Sequence, residues 1–428
     1  MRAKLYALLA ALISIQPGAV LAQASKPAIP DTPAGRALAG WLDAFNHADK
    51  GELASFLKVH APWLSPDQQM EQRASTGGYE LTSIDGSGPL WIVFHVNERT
   101  RCKPIYGRVV VRSKDPEHIT LLDLVSAETQ SAEIVLDESE RSRVIEDAVK
   151  LIKQFYVFPE VAKVTTAKLE ALQKRGEYRS ITDGKVFAIR LEDDLRVLSG
   201  DTHYAVNYFI REHPEEPSFH HPLDPRLFAV SNCGFEKADH LPPNIGYLKV
   251  NYLAELEFCA TTAIAAMNFL ADSDALIIDL RENHGGAPQM TALISSYLFD
   301  EHKHLDDIYD RPNNTTEQTW TTLCVPGKKF LGKPVYVLTS NQTYSAGEEL
   351  SFDLKNLRRV TLVGETTGGG AHTIAPHRID NHFFILVPFG RMIDPTTHSD
   401  WERTGVEPDI KVPAADALDE ALKRARGG

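Results

Sequence analysis

One segment of the sequence begins as an apolar strand, passes through a short polar turn and continues as a helix: Val335-Tyr336-Val337-Leu338-Thr339-Ser340-Asn341-Gln342-Thr343-Tyr344-Ser345-Ala346-Gly347-Glu348-Glu349. A buried strand that turns sharply into a helix would expose the Ser345 hydroxyl at the positive helix N-terminus, with small neighbours beside it. The same residues fit a capping box, because Glu348 follows Ser345 by three positions. A nucleophile and a simple helix cap therefore both remain open from this segment alone.

Strands and helices alternate on both sides of this stretch. We predict strands at 245–250, 275–280, 334–339, 359–363 and 383–388, and helices at 255–270, 288–298 and 345–357. Interleaving of this kind is typical of an α/β layer domain.

The residues that precede this domain differ in pattern. Apolar residues at helical spacing, followed by a series of strand-like segments, predict a small α+β domain at 35–127. Three further helices are predicted between 134 and 200. We therefore predict five segments: a signal peptide at 1–22, a linker at 23–34, an α+β domain at 35–127, a helical subdomain at 134–200 and the α/β core at 201–428.

The composition of the chain excludes some classes of protein. The 428 residues include 58 Asp and Glu against 45 Lys and Arg, a net charge of −13, which argues against a nucleic-acid-binding protein. The apolar share of 43% and the charged share of 24% are those of folded soluble domains.

The start of the chain has the features of an export signal. Arg2 and Lys4 precede an apolar stretch at 5–15, and Ala22 ends a small-residue cleavage site. An uncleaved membrane anchor is the alternative, although the break at 16–18 leaves the apolar run shorter than the roughly 18 residues that a span needs. We expect an exported protein, periplasmic or secreted, with no stable membrane anchor after cleavage.

The chain has four cysteines, Cys102, Cys233, Cys259 and Cys324. Cys233 and Cys259 bracket a predicted strand and can pair in an oxidising compartment, while free buried thiols remain the alternative. Because no Cys/His cluster has zinc-ligand spacing, no metal site is predicted.

A second strand-to-helix loop runs from Ala275 to two glycines, Gly285 and Gly286. Their backbone N–H groups can reach a developing oxyanion because no side chain stands in the way. An ordinary turn, with Asp279 and Arg281 as a structural ion pair, is the alternative. The loop lacks the Lys-[Ser/Thr] ending of a phosphate-binding loop, so a nucleotide site gains little support.

Two further polar segments carry titratable groups. His203 follows a predicted helix and can act as a general base near neutral pH. Glu402 lies in a polar loop, where a carboxylate can orient such a histidine. A structural histidine and a solvated carboxylate are the alternatives, and His284 and His372 have nearly the same claim as His203. Spacing alone does not show that these segments meet in space.

Taken in order, these segments resemble the C-terminal processing peptidase and tricorn family of serine peptidases, most closely the branch similar to interphotoreceptor retinoid-binding protein. The resemblance covers roughly the last 270 residues. It rests on residues 156–160, 195–203, 244–248, 279–286, the Ser345 turn, 364–370 and 402–410.

The resemblance implies a crotonase-like α/β core with a helical N-terminal subdomain, and Ser345 as the acylating nucleophile. The processing-peptidase branch places its lysine base where this chain has Gly370, so the Ser-Lys version is not available. The tricorn-like branch uses a histidine, a neighbouring hydroxyl and a glutamate. These roles carry over to His203, Thr202, which stands where tricorn has serine, and Glu402.

The expected oxyanion donors are the backbone N–H groups of Ala346 and of Gly285 or Gly286. Neither a metal nor an organic cofactor is implied. The segment at 35–127 resembles the nuclear transport factor 2-like accessory domains that precede bacterial hydrolases, on residues 34–36, 44–46 and 73–81.

No peptide-binding PDZ segment is evident between His203 and Ile245, which favours cleavage of short peptides over processive handling of protein tails. The sequence thus predicts an exported serine peptidase whose partner is a peptide or small acyl substrate rather than nucleic acid. Two alternatives remain: a protein that kept the fold but only binds a lipid or retinoid-like ligand, and an esterase.

Overall fold

A computed structural model describes residues 27–126, 129–130, 134–213 and 225–427. The predicted signal peptide at 1–22 lies outside the described residues. No helix within the described ranges combines the length and the apolar character that a membrane crossing needs.

The N-terminal region places three helices on one face of an antiparallel meander. The helices are α1 (Pro33–His47), α2 (Lys50–His60) and α3 (Pro66–Thr76), and the strands, in sheet order, are β1 (Tyr79–Ser87), β2 (Trp91–Glu98), β3 (Pro104–Val111) and β4 (Ile119–Ser126). Successive side chains of a strand point to opposite faces, so Ile92 and Phe94 pack under these helices while Trp91 and Val93 pack on the other side. The predicted α+β fold of this region is confirmed.

That second face of the meander is covered by the following helices, α4 (Glu138–Phe155), α5 (Pro159–Lys174) and α6 (Gly184–Ser199). Arg108 of β3, almost fully buried, reaches across with Nε 2.7 Å from Oδ2 of Asp183, the N-cap of α6. The meander and the helices therefore share a core and a buried ion pair.

A five-stranded antiparallel sheet follows. In spatial order it contains β10 (Thr315–Trp320), β9 (His304–Asp310), β14 (Phe383–Ile393) and β13 (His372–Arg378), with β5 (Ala205–Tyr208) also paired to β14. Sequence patterning indicates a loop at 310–318, yet β10 begins at Thr315. Because five of the six β10 residues are exposed, that strand lacks the apolar alternation by which it could have been recognised.

The largest sheet has six strands in the order β15 (Ile410–Lys411), β12 (Thr361–Gly364), β11 (Val335–Thr339), β8 (Ala275–Asp279), β7 (Ile245–Val250) and β6 (Phe235–Leu241). Every pair is parallel except β6 with β7. The associated helices are α7 (Pro225–Val230), α8 (Leu256–Phe269), α9 (Pro288–Ser296), α10 (Ala346–Asn356) and α11 (Ala417–Gly427).

Helices cover both faces of this sheet. Leu276 and Ile278 of β8 pack in the core that α8, α9 and α10 share, whereas Ala275 and Ile277 face α11. A parallel sheet with helical layers on both faces confirms the predicted α/β class.

Three neighbouring strands, β12, β11 and β8, end at the same edge of the sheet. In open α/β sheets, ligands bind beyond the carboxyl ends of the strands, where the connecting loops meet. The loops that follow these strands carry Gly285 and Gly286, Ser345, and the glycine run at 368–370.

A disulfide joins Cys233 to Cys259 on α8, while Cys102 and Cys324 are exposed free cysteines. The sequence left open whether Cys233 and Cys259 pair. They do, and the bond links the residues just before β6 to α8.

Candidate active site

Ser345 lies at a strained turn between β11 and α10. Its backbone adopts φ 53° and ψ −123°, a left-handed conformation that is rare for a residue with a side chain and that persists only where the surroundings hold it. The Tyr344 N–H donates to the Asn283 carbonyl at 2.9 Å, and the Ser345 N–H donates to Glu348 Oε2 at 2.9 Å. The turn is therefore fixed from both sides.

Glu348 is the centre of this support. Its buried carboxylate also accepts hydrogen bonds from the Gly369 and Gly370 N–H groups at 2.6 and 2.8 Å, and from the Thr367 hydroxyl. Burial raises the pKa of Glu348, while these bonds work in the opposite direction. The capping role considered for Ser345 and Glu348 thus coexists with a turn that presents Ser345.

The two glycines of the β8 loop pass directly beside this turn. A Cβ at Gly285 would lie 2.8 Å from Ser345 Cβ, and both glycines have positive φ. The Gly285 N–H donates to Asn283 Oδ1 at 2.8 Å, whereas in the described chain the N–H groups of Gly286 and Ala346 meet no acceptor. Of the expected oxyanion donors, Gly286 and Ala346 therefore keep an N–H group without an acceptor in the described chain.

Asp279 and Arg281 form the structural ion pair that the sequence left open as an alternative. Arg281 Nη2 lies 2.6 Å from Asp279 Oδ2, which also accepts a hydrogen bond from the Tyr247 hydroxyl at 2.7 Å. This ion pair braces the start of the loop.

His203 lies on the turn that follows α6, which ends at Ser199 and is capped by Gly200. Its ring is buried, and its centroid lies 5.1 Å from that of Tyr344, the residue before Ser345. His203 Nδ1 lies 3.3 Å from Asp201 Oδ1 and 3.9 Å from Glu402 Oε2, without hydrogen-bond geometry to either. The structure thus brings His203 next to the Ser345 turn, with Asp201 closer to it than Glu402.

Asp201 was not singled out from the sequence. It is fully buried; its Oδ1 accepts the His203 backbone N–H at 2.9 Å and its Oδ2 lies 2.6 Å from His372 Nδ1. Burial would raise the pKa of Asp201, but the contacts with His203 and His372 outweigh it and hold the pKa well below its usual range. Asp201 is consequently a buried carboxylate between two imidazoles.

His372 was given little weight in the sequence, where it only follows the glycine run. Burial would lower the pKa of its imidazole, but the hydrogen bond and charge of Asp201, followed by the charge of Glu402, raise it. His372 therefore favours the protonated form beside Asp201.

Glu402, the carboxylate expected to orient His203, lies near both His203 and His372. Its Oε2 accepts the Ala371 N–H at 2.8 Å and lies 3.7 Å from His372 Nδ1, while Oε1 is buried without a hydrogen-bond partner. Burial and the charge of Asp201 raise the pKa of Glu402. Glu402 thus borders both histidines without hydrogen-bonding either.

Thr202 is exposed, and its Oγ1 lies 2.6 Å from the Tyr344 hydroxyl. The Tyr344 ring also fills the space beside the glycine run, because a Cβ at Gly370 would lie 2.3 Å from its Cζ. A side chain at position 370, where the Ser-Lys branch has its base, would collide with this ring.

Two sets of described side chains have ligand atoms close enough to hold a metal ion: Asp201, His203, His372 and Glu402, and separately Asp306, Glu349 and Asp353. In the first set, His372 Nδ1 and Asp201 Oδ2 already meet each other at 2.6 Å. Histidine and carboxylate ligands suit Zn²⁺, which would have to displace that contact.

Two family models match the chain. The model of peptidase family S41 matches residues 244–412, and the model of the N-terminal domain of this peptidase family in eukaryotic IRBP matches residues 127–229. The first range contains Ser345, His372 and Glu402, and the second contains Asp201 and His203.

Curated relatives include carboxyl-terminal-processing peptidase 1 of Arabidopsis thaliana chloroplasts, 28% identical over 195 residues, which are 44% of this chain and 38% of the relative. Tricorn protease of Thermoplasma volcanium is 28% identical over 152 residues, 33% of this chain and 13% of the relative. The chain thus spans less than half of the length of these relatives.

Solved structures include a peptidase described as putative from Parabacteroides merdae, with TM-score 0.48, 17% identity, and coverage of 67% of this chain and 96% of that one. The photosystem II D1 C-terminal processing protease gives TM-score 0.43 at 15% identity, covering 67% of this chain and 97% of that one. With the two family models matching adjoining parts of the sequence, the chain belongs to peptidase family S41.

Proposed function

We propose that this protein is a serine peptidase in which Ser345 attacks the peptide carbonyl and His203 is the general base. The observation that carries the proposal is the position of His203. Its ring lies beside that of Tyr344, the residue before Ser345, its Nδ1 lies 3.3 Å from Asp201 Oδ1, and both ring nitrogens are buried without a hydrogen-bond partner. A nitrogen free in this way is available to a nucleophile hydroxyl.

The proposed reaction has two steps. Ser345 Oγ bonds to the carbonyl carbon as its proton moves to His203 Nε2, and the N–H groups of Ala346 and Gly286 stabilise the oxyanion, each with about 3 kcal/mol. His203 then returns the proton to the leaving amine as the C–N bond breaks. In the second step, water attacks the acyl carbon as His203 takes its proton, and the C–O bond to Ser345 Oγ breaks as His203 returns the proton to that oxygen, which releases the acid and restores the enzyme.

Asp201 is the residue that we propose to hold the imidazolium, since it lies closer to Nδ1 than Glu402 does. Glu402 and Thr202 are then positioning residues for the groups around His203. Thr202 acts through Tyr344, whose ring lies beside His203. The collision between Tyr344 and a side chain at position 370 supports the histidine version over a lysine base.

The test is cleavage of a mixed peptide library by residues 23–428, compared with Ser345→Ala and His203→Ala. Exposed controls of the same residue types are Ser55→Ala and His47→Ala. We expect cleavage by the parent and both controls, and loss of at least about 10³-fold in the two site variants. A fluorophosphonate probe should label Ser345, and mass spectrometry of the labelled peptide locates the adduct.

Cleavage that survives Ser345→Ala would refute the mechanism. Turnover of matched esters without the corresponding amides would instead favour the esterase, and saturable lipid binding without any turnover would favour a binding protein on this fold.

We also propose that the protein is exported, to the periplasm or beyond. The basic and apolar start of the sequence supports this, and so does the Cys233–Cys259 disulfide, since such bonds persist in oxidising compartments. N-terminal sequencing of the exported protein should begin at Gln23; a start at Met1 in the membrane fraction would contradict the proposal.

A further inference from the structure

Three carboxylates meet in the interior of the α/β core. Glu349 and Asp353 lie one turn apart on α10, and Asp306 lies on β9. All three side chains are buried, and one oxygen of each lies within 4.8 Å of an oxygen of the other two. The proposed peptidase mechanism uses none of these groups.

The negative charge of this cluster is not balanced by a basic side chain. Among the described residues, no Lys or Arg forms an ion pair with any of the three carboxylates. His304 is the nearby basic group, and its Nε2 already lies 2.9 Å from Asp307 Oδ1. Asp394 adds further negative charge close to Asp353.

The oxygens of the cluster are also short of hydrogen bonds. Both side-chain oxygens of Asp306 and both of Asp353 are buried without a partner in the part of the chain that the structure describes. Burial raises the pKa of all three carboxyls, because an ionised group without a countercharge is costly in the interior. Either protons or a cation must relieve that cost.

A buried hydroxyl faces the same cluster. Helices α9 and α10 follow two parallel strands, β8 and β11, so they run in the same direction, and they pack against each other. The Thr291 hydroxyl on α9 donates to Glu349 Oε1 at 2.6 Å. One turn further along both helices, Ser295 therefore lies level with Asp353.

Ser295 is fully buried, and its Oγ has no hydrogen-bond partner among the described residues. This hydroxyl belongs to a different helix from Glu349 and Asp353, and it is not itself acidic. It is therefore an unused oxygen ligand that is independent of the three carboxylates.

The type of ligand atom selects the type of ion. Carboxylate and hydroxyl oxygens suit Ca²⁺ and Mg²⁺ rather than Zn²⁺. Ca²⁺ lies about 2.3–2.6 Å from roughly six to eight oxygens, so its ligands lie at most about 5 Å apart, as they do here. Three carboxylates that can each bind through two oxygens, together with a hydroxyl, can supply that number. Mg²⁺ usually keeps several waters, for which a buried cluster leaves less room.

A cleft of about 340 Å³ offers an entry path to the cluster. Ser296, the residue after Ser295, lines it from α9, and Thr319 lines it from β10. Thr319 is the partner of Asp306 in the pairing of β10 with β9, and such partners point to the same face of a sheet. An ion can therefore reach Asp306 through a local movement at Thr319.

We propose that the three carboxylates bind one Ca²⁺ ion, with the Ser295 hydroxyl as a further ligand. The ion would tie α9 and α10 to β9. Since α9 follows the loop of Gly286 and α10 follows Ser345, it would hold together the two helices that begin at the candidate active site. Its part is structural and does not depend on the proposed peptidase function.

The test measures binding and stability in the mature chain, residues 23–428, after metal has been removed with EDTA. Isothermal titration with CaCl₂ counts the ions bound, and circular dichroism gives Tm with and without excess Ca²⁺. We expect one ion per chain and an increase in Tm of about 5 °C or more.

Asp306→Asn with Asp353→Asn keeps the shape of the cluster and removes two of its three charges. We expect this double variant to bind no Ca²⁺ and to show no increase in Tm. Without Ca²⁺ it should be at least as stable as the metal-free parent, because the repulsion between ionised carboxylates is gone. Ser295→Ala removes one oxygen only, and should weaken binding about tenfold.

Two controls locate the ion. Asp274→Asn with Asp300→Asn removes two exposed carboxylates from the same α/β core and should leave binding intact. Glu402→Gln changes the other group of side chains that could hold a metal, the one with His203 and His372, and should also leave Ca²⁺ binding intact.

Absence of Ca²⁺ binding by the parent chain overturns the proposal, and so does binding that the double variant retains. If the double variant does not fold, Ser295→Ala decides, since affinity equal to that of the parent contradicts the assigned site. Loss of binding in Glu402→Gln would place the ion in the other group of side chains and likewise overturn the proposal.

Discussion

Two sides of the candidate site differ in how completely their polar groups are satisfied. On the nucleophile side, the Glu348 carboxylate accepts four hydrogen bonds, which tie the Ser345 turn to the glycine run. On the histidine side, both ring nitrogens of His203, Nε2 of His372 and Oε1 of Glu402 are buried without hydrogen-bond partners.

Buried polar groups in folded proteins are nearly always hydrogen-bonded, and exceptions often mark functional positions. The contrast indicates that the proposed nucleophile is held by a fully hydrogen-bonded scaffold, whereas the groups proposed to exchange protons have unused hydrogen-bonding capacity. Substitutions should therefore affect mainly stability on the nucleophile side and mainly activity on the histidine side.

The largest effect is expected on the nucleophile side, where the hydrogen bonds of the Glu348 carboxylate hold the turn. Glu348→Ala leaves the Ser345, Gly369 and Gly370 N–H groups without an acceptor, so the free energy of unfolding should fall by about 3 kcal/mol or more and activity should be lost. Urea unfolding monitored by circular dichroism measures the change. Glu407→Ala, at an exposed carboxylate, is the control and should leave the midpoint unchanged; an equally stable Glu348→Ala would contradict the scaffold role.

On the histidine side we expect the loss of activity to exceed the loss of stability. Asp201→Asn should lower kcat/KM by about 10³-fold, because the imidazolium of His203 loses its nearest carboxylate, whereas Glu402→Gln should cost about tenfold. Steady-state kinetics on one peptide compares the two. The reverse order of effects would make Glu402 the orienting residue, as the family resemblance had suggested.

The pairing of His372 with Asp201 should make stability depend on pH. The pKa of His372 is raised above its ordinary 6.5, so its contribution is complete below pH 6.5 and is lost as pH rises through the raised value. The pKa of Asp201 is lowered from 3.8, so its contribution is present above that pH and is lost in stronger acid.

The excess stability of the parent over His372→Asn should therefore be greatest between pH 4 and 6.5 and smaller at pH 9. Urea midpoints across this range measure it, with the exposed His47→Asn as the control. A difference that does not vary with pH would show that the pair is not ionised.

The smallest effect is expected at the contact between Thr202 and Tyr344. Thr202→Val removes the hydroxyl from an exposed position and should lower kcat/KM about twofold to fivefold, because Tyr344 loses one partner. Thr202→Ser keeps the hydroxyl and should behave as the parent does. Equal losses in both variants would point to packing rather than the hydrogen bond.

Local patterns in the sequence were enough to predict the nucleophile side of the candidate site. A strand, a polar turn and a helix start within fifteen residues predict the Ser345 turn, and the paired glycines predict a loop without side chains, which passes so close to Ser345 that a Cβ at Gly285 would lie 2.8 Å from Ser345 Cβ. These features are readable because they depend on residues adjacent along the chain.

The histidine side depended on contacts between distant residues. Asp201 and His372 are 171 positions apart, and nothing local distinguishes either from a structural or surface residue. The choice of Gly286 over Gly285 as an oxyanion donor depends likewise on the Asn283 side chain occupying one N–H.

The alternation of strands and helices and the turn that presents Ser345 thus follow from local sequence, because apolar periodicity, glycine and capping residues act over a few residues. Tertiary contacts settle which acid lies nearest His203, which N–H groups remain free, and that the N-terminal domain borders the turn that carries His203. These are decided by packing, which brings side chains together across the carboxyl edge of a sheet and across a shared core, irrespective of their separation along the chain.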